Sequence, residues 1–520
     1  MELKEIINEV AVFHNAFGIE NHTSPTLLDE AGSTLRYNLM KEENEEYLEA
    51  AKKGDMVEIA DALGDQLYIL CGTLLRHGLQ DKIEAIFCEI QRSNMSKLDA
   101  DGKPIYREDG KVLKSELYFR PNIGQFLPYL QKDRREKVSS STMLDFSLFL
   151  VPVDPEEFLE TPLGERVCFN ATSTEEVERN SLCIVHVKEY RNHTNTVVGA
   201  LDFRKELYSL YPHHHWKTKL YDLGDINSGE RVEDTYFALQ TLVAELVKIN
   251  CIPIVVGGSM DLMHALSVGF EITEQLINLC AVDERLNLGQ PEDPISSKGY
   301  LSSLLLRRPC YLFNHATVGV QPNRNPPQEM ALYDKLFFDV CKLGAFTSDF
   351  RLAEPHLRNA DIIGMNLDAV KASERQLKEG NPNGFTLEQF CRIAKYAGIS
   401  DKLSCFGVFN PMNENSYDAA LVAHTLWYFM EGIEERKGDF PVGSKKDYLR
   451  FTVVMENEFK ELIFYKSNKT DRWWMEVPYP STESSRFERH HLVPCDKLDY
   501  DNAMNNELPD LWWRTYQKLG

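Results

Sequence analysis

Two stretches near the start of the chain concentrate carboxylates at helical spacing. Lys41-Glu42-Glu43-Asn44-Glu45-Glu46-Tyr47-Leu48-Glu49 is followed shortly by Glu58-Ile59-Ala60-Asp61-Ala62-Leu63-Gly64-Asp65. Glu43 and Glu46 are three apart, and Glu58, Asp61 and Asp65 fall at i, i+3 and i+7, so each set shares one face of a helix. In the second stretch the acids are flanked by Ile59, Leu63, Leu67 and Ile69, so a carboxylate stripe stands where an amphipathic helix should present its core face. Bringing two such faces together unneutralised is costly. Mg2+ removes that cost, because it takes carboxylate oxygens, keeps several waters and bridges phosphates. The expected chemistry is therefore that of a bound Mg2+ able to bridge substrate phosphates. Glu45 and Glu49 fit a solvated helix face equally well.

The elements that would position these acids read as an all-α bundle. Leu3, Ile6, Ile7, Val10, Phe13 and Phe17 recur at helical spacing. A second helix is predicted over about 35–51, broken by Gly54-Asp55, a third over about 56–76, ended by His77-Gly78, and a fourth over about 81–95. Two Gly-containing turns follow, Asp101-Gly102-Lys103 and Asp109-Gly110-Lys111, with a short strand-like segment between them. Residues 128–145 are polar and basic, then Ser-rich, and read as a linker. Beyond them, apolar runs of strand length at 182–187, 252–256, 277–282, 311–313, 362–367 and 404–409 alternate with helical patterns. That alternation predicts an α/β domain with a parallel sheet covered on both faces. The domains expected are 1–127, 146–445, and an extension over 446–520 that packs on the α/β domain and begins with a hairpin at FTVVMENEFKELIFYKS.

The bulk properties narrow the partners. At roughly 100–200 residues per domain, 520 residues hold two to four domains. A formal net charge of −23 repels phosphate backbones, so nucleic acid is not expected as a partner, and a nucleotide site must bring metal ions or local Lys and Arg. The eleven cysteines include no C-x-x-C pair and sit mostly in apolar runs, as reduced thiols of a cytoplasmic protein would. The acidic start MELKEIINEV does not read as a signal peptide. No run of about 18 apolar residues is present, so no membrane span is expected.

Glu42-Glu43-x-x-Glu46 followed by Glu58-x-x-Asp61 resembles the metal signature of the all-α NTP pyrophosphohydrolases, the MazG-like superfamily. Ser93-Asn94-Met95-Ser96-Lys97 and the two DGK turns resemble its phosphoribosyl-ATP pyrophosphohydrolase-like branch. The likeness covers about residues 1–127, and Glu45-Glu46-x-x-Glu49 is a second register for its first half. The resemblance implies hydrolysis of a nucleoside triphosphate to monophosphate and pyrophosphate. Glu42, Glu43, Glu46, Glu58 and Asp61 would hold Mg2+. A spare carboxylate, Glu46 or Asp65, would take the proton, with Lys97 as the catalytic cation. Asn94, Lys97 and Lys103, with Lys111 as a further candidate, would bind the substrate phosphates. Since the acids come from two helices only, the resemblance also implies a homo-oligomer that closes the pocket.

The second region resembles the arginase (ureohydrolase) family over about residues 148–435. The segments that carry the likeness are Asp222-Leu223-Gly224-Asp225 as an early D-x-G-D turn, Pro253-Ile254-Val255-Val256-Gly257-Gly258, Ala281-Val282-Asp283-Glu284-Arg285-Leu286-Asn287, Gly364-Met365-Asn366-Leu367-Asp368, Asn381-Pro382-Asn383-Gly384-Phe385 and Phe409-Asn410-Pro411. Six ligands carry a dimanganese pair in that family. The matching positions here are Met260, Asp283, Arg285, Asn287, Asn366 and Asp368, so two acids remain, too few for roughly four positive charges. The resemblance thus implies a degenerate site without Mn2+, in which Arg285 pairs internally with Asp283 and Asp368. A ureohydrolase of the formimidoylglutamase type and a non-catalytic scaffold are the alternatives. His213-His214-His215 reads as solvated surface. Trp473-Trp474 and Trp512-Trp513, near Arg472, Arg489, His490 and His491, read as core of the tail, or else as a partner surface.

Overall fold

The computed structural model describes residues 3–26, 28, 30–96, 98, 103, 145–192, 202–290, 293–412, 416–441, 445–456, 459, 461–479 and 487–519. The chain divides into two compact units, Met1–Met143 and Leu144–Gly520. The linker expected at 128–145 falls at this division and, apart from Asp145, lies outside the described residues, as do the strand-like segment between the DGK turns and Lys111.

The first unit is built from helices α1 (Leu3–Ala16), α2 (Glu30–Lys53), α3 (Met56–His77) and α4 (Ile83–Met95). The sequence fixes the α2–α3 corner locally. Gly54 takes φ +72°, and Asp55 caps α3 by accepting from the backbone amides of Val57 and Glu58. Gly78 closes α3 in the left-handed conformation. Arg36 reaches Thr73 Oγ1 (2.9 Å) and the Ile69 carbonyl (2.7 Å), while Gln66 reaches the Glu43 carbonyl (3.3 Å), so α2 and α3 run antiparallel. The core is small, formed by Ile7, Val10, Cys71, Leu74 and Leu75. Many apolar side chains stay outside it, among them Phe17, Leu48, Val57, Leu63 and Phe87.

The second unit has a parallel sheet of nine strands among the described residues: β1 (Val167–Phe169), β2 (Leu182–Lys188), β3 (Leu220–Asn227), β4 (Ile252–Val256), β5 (Ile277–Val282), β6 (Leu312–Val320), β7 (Asp339–Lys342), β8 (Ile362–Asn366) and β9 (Cys405–Phe409). Their order is β1-β3-β2-β4-β9-β8-β5-β6-β7. Two apolar layers cover it. Ile184, Ile254, Ile363 and Phe406 belong to one, and Cys183, Val185, Val255 and Ile362 to the other, as alternation along a strand requires. The hairpin read in the tail is present as β10 (Tyr448–Val454) and β11 (Glu461–Ser467), and it continues into β12 (Trp473–Glu476) and β13 (Leu492–Cys495), all antiparallel. This small sheet rests on the large one's layer through Arg358, whose Nη2 donates to the carbonyls of Trp473 (3.1 Å) and Cys495 (3.0 Å). Trp473, Trp474 and Trp512 are buried, so three of the four tail tryptophans are core.

One reading of the sequence needs correction here. Asp222 to Asp225 lie inside β3 and form no turn. Arg204 satisfies their charge through Asp222 Oδ2 (2.6 Å) and Asp225 Oδ1 (2.6 Å), with the Tyr208 hydroxyl donating to Asp222. His214 and His215 are exposed, as read, and the three ring centroids of His213, His214 and His215 lie 3.9 to 5.7 Å from one another. No described helix is long and apolar enough to cross a membrane.

Candidate functional sites

The acids of α2 and α3 meet across the antiparallel corner. Glu43 is the half-buried member, and its Oε2 has no hydrogen-bond partner. Its carboxyl is pushed up from the ordinary value, first by loss of hydration and then by the charges of Asp65, Glu46, Glu42 and Asp61. Four of the proposed ligands or bases therefore load a single carboxylate. Glu42, Glu46, Glu58, Asp61 and Asp65 are exposed, and Glu49 is tied to Lys53 (2.8 Å) instead. Among the described residues no three His, Cys, Asp or Glu side chains are placed to hold a metal ion. Asn94 and Lys103 are exposed, and Lys97 lies outside the described residues.

The second site sits at the carboxyl ends of the central strands, where parallel α/β sheets leave a crevice. Asp283 follows β5, Asn366 ends β8 with Asp368 just beyond, and Asn410 follows β9. Asp283 is fully buried and already surrounded. Its Oδ2 accepts from Asn366 Nδ2 (2.7 Å) and Asn287 Nδ2 (2.8 Å), and its Oδ1 accepts from the Arg285 amide (3.0 Å). Burial, only partly offset by these bonds, pushes its carboxyl up to about 6. Neighbouring Glu284 is pushed up to about 7, by burial and then by the charge of Asp283.

The expected pairing of Arg285 with Asp283 and Asp368 is not present. Arg285 is a third exposed; its Nη1 donates to the Arg324 carbonyl (2.8 Å), and its Nε lies 3.7 Å from Glu284. The guanidinium that meets the site's acids is Arg375. It is buried and donates to Asp368 Oδ1 (3.0 Å), to Asp418 Oδ1 (2.8 Å) and Oδ2 (2.5 Å), and to the Asn410 carbonyl (3.3 Å). Asn410 Nδ2 bridges Asn366 Oδ1 (2.8 Å) and Asp368 Oδ2 (3.2 Å). Met260 is not part of this arrangement: it is completely buried in an apolar layer and does not line the crevice. Arg375 and Asp418 had no sequence signal, while Asn410 was visible as the Asn-Pro step of the ureohydrolase resemblance.

Comparison with known proteins gives the two regions different neighbours. Residues 10–94 match the family model described as phosphoribosyl-ATP pyrophosphohydrolase, so the chain carries such a domain at its N-terminus. Among solved structures, Trypanosoma cruzi formiminoglutamase with Mn2+2 is similar at 16% identity, covering 51% of this chain and 97% of that one, with a TM-score of 0.47. Formimidoylglutamase from Bacillus subtilis subsp. subtilis str. 168 is similar at 13% identity, covering 53% and 92%, with a TM-score of 0.48. Agmatine ureohydrolase of Thermoplasma volcanium stands at 15% identity, 49% and 91%, with a TM-score of 0.42. No curated protein matches the chain.

Proposed function

We propose that the first unit is a Mg2+-dependent nucleoside triphosphate pyrophosphohydrolase, releasing pyrophosphate and the monophosphate. The observation that carries it is Glu43, which faces Glu42, Glu46, Asp61 and Asp65 across two helices, whose carboxyl is raised by loss of hydration and then by those four acids, and whose Oε2 lacks a partner. Carboxylate oxygens are the donors Mg2+ prefers, and the ion bridges substrate phosphates. Glu42, Glu43, Glu46, Glu58 and Asp61 are the candidates to hold it; when bound, the ion orients the polyphosphate and lowers the pKa of a water. Asp65, on the same α3 face, is the candidate to take that water's proton. Lys97, Asn94 and Lys103 are the candidates for the phosphates. A second copy of the chain completes the pocket in this reading, in keeping with the exposed Phe17, Leu63 and Phe87 on so small a bundle.

The second unit is read as a ureohydrolase-like fold without its metal pair. Asp283 has three protein donors, and Asp368 is held by Arg375 and Asn410. A Mn2+ pair needs several free anionic oxygens, and this donor set does not fit one.

The test is a panel of ribo- and deoxyribonucleoside triphosphates, phosphoribosyl-ATP included, assayed for pyrophosphate with and without Mg2+. Metal-dependent release from at least one is expected. No release from any would remove the enzymatic reading of the first unit.

A further inference from the structure

The crevice at the strand ends is a cavity of about 720 Å³. Two opposite chemistries line it. On one side Arg285 and Arg324 crowd a single oxygen of Glu284, at 3.7 and 3.5 Å, so two guanidiniums share one carboxylate. Asn381 stands with them: its Oδ1 accepts from Arg324 Nη2 (3.2 Å) and from the Asn383 amide (3.1 Å), while its Nδ2 has no partner although the residue is 4% exposed. Lys298 and Lys378 lie exposed at the mouth. On the other side Asn410, 3% exposed, carries an Oδ1 without a partner, next to Asp368.

A buried amide N–H with no acceptor and a buried amide oxygen with no donor are each expensive, and native structures keep such groups for a reason. One ligand satisfies both. An oxyanion in the cavity would take donors from the two guanidiniums and from Asn381 Nδ2, since Arg presents planar forked donors to phosphate and carboxylate alike. A hydroxyl or ammonium on the same molecule fits Asn410 Oδ1 and Asp368. The volume suits a small molecule rather than a peptide or an ion alone.

We infer that this cavity is a metal-independent binding pocket for a small organic oxyanion, a phosphate monoester or a carboxylate, that carries a hydrogen-bond donor at its other end. The inference rests on the metal-free reading of the second unit. Asp283 and Asp368 are already engaged by Asn287, Asn366 and Arg375, and the cavity is assigned binding alone.

Titration calorimetry of the full chain in EDTA, with ribose 5-phosphate in one arm and malate in the other, tests it and separates the two sources of oxyanion. One saturable site per chain is expected in at least one arm. Asn381→Asp keeps the acceptor that holds Arg324 and replaces the orphan donor with an acceptor, so it should weaken binding by about tenfold or more. Lys378→Ala, at an exposed position that cannot disturb packing, should weaken it less. Binding of neither probe at millimolar concentration, or equal affinity in parent and Asn381→Asp, overturns the inference while leaving the metal-free reading intact. Binding that appears only when Mn2+ replaces EDTA overturns both.

Discussion

Both units gather carboxylates at one place, and they treat them in opposite ways. On α2 and α3 the acids face one another from two helices: Glu43 has an unpartnered oxygen, and its neighbours are exposed. At the strand ends of the second unit, Asp283 is enclosed by two amides and a backbone N–H, and Arg375 clamps Asp368 and Asp418 together. Like charges held close without a counter-charge raise one another's pKa and call for a cation from outside. Like charges given internal donors need none. The lesson is that counting acids does not identify a metal site. What separates the two regions is whether the protein supplies the neutralising groups itself.

That contrast can be broken in order of effect. Glu58→Gln and Asp61→Asn are each expected to lower pyrophosphate release by about 1000-fold, as loss of several kcal/mol of metal-based stabilisation would. Unchanged far-ultraviolet circular dichroism should accompany the loss, because both side chains are exposed. Arg375→Met leaves Asp418, fully buried, without its guanidinium, and is expected to destabilise the second unit by about 3–5 kcal/mol in urea unfolding. Glu284→Gln acts through pH. Burial pushes the folded carboxyl up to about 7, so the group stabilises the fold at low pH and that contribution is lost as pH rises through 7. The variant should therefore melt higher than the parent at pH 8, by on the order of 1–3 kcal/mol, and match it near pH 4.5. Arg285→Met is the smallest effect, under about 1 kcal/mol, since a third-exposed side chain gives up one hydrogen bond to a carbonyl. A large loss there would restore the pairing with Asp283 that the sequence suggested.

Where the sequence could be read in the second unit, continuous apolar runs carried the reading. The apolar runs at 252–256 and 277–282 are strands β4 and β5 without a residue's change, because both faces of a parallel strand are buried. Polar residues hid the rest. β6 was legible only at its start, since Asn314, His315 and Thr317 interrupt the run; they are buried against Asp339 and Tyr333. β3 was read as a turn because of Asp222 and Asp225, whose partner Arg204 lies on another element. The candidate site was legible in its acids and amides, which lie at strand ends. Arg375 was not, because its partner Asp418 is 43 residues away and nothing local marks either one. Pairing across such separations is a property of the fold.

The central claim, that only the first set of acids takes a divalent ion, is tested most directly by Mn2+ binding, with Mn2+ standing in for Mg2+. Free Mn2+ would be measured by paramagnetic resonance against the full chain and three variants. The account predicts that bound Mn2+ is lost in Asp61→Asn and unchanged in Asp283→Ala and Asp368→Ala. Mn2+ that survives dialysis in Asp61→Asn and disappears in Asp283→Ala or Asp368→Ala would contradict it.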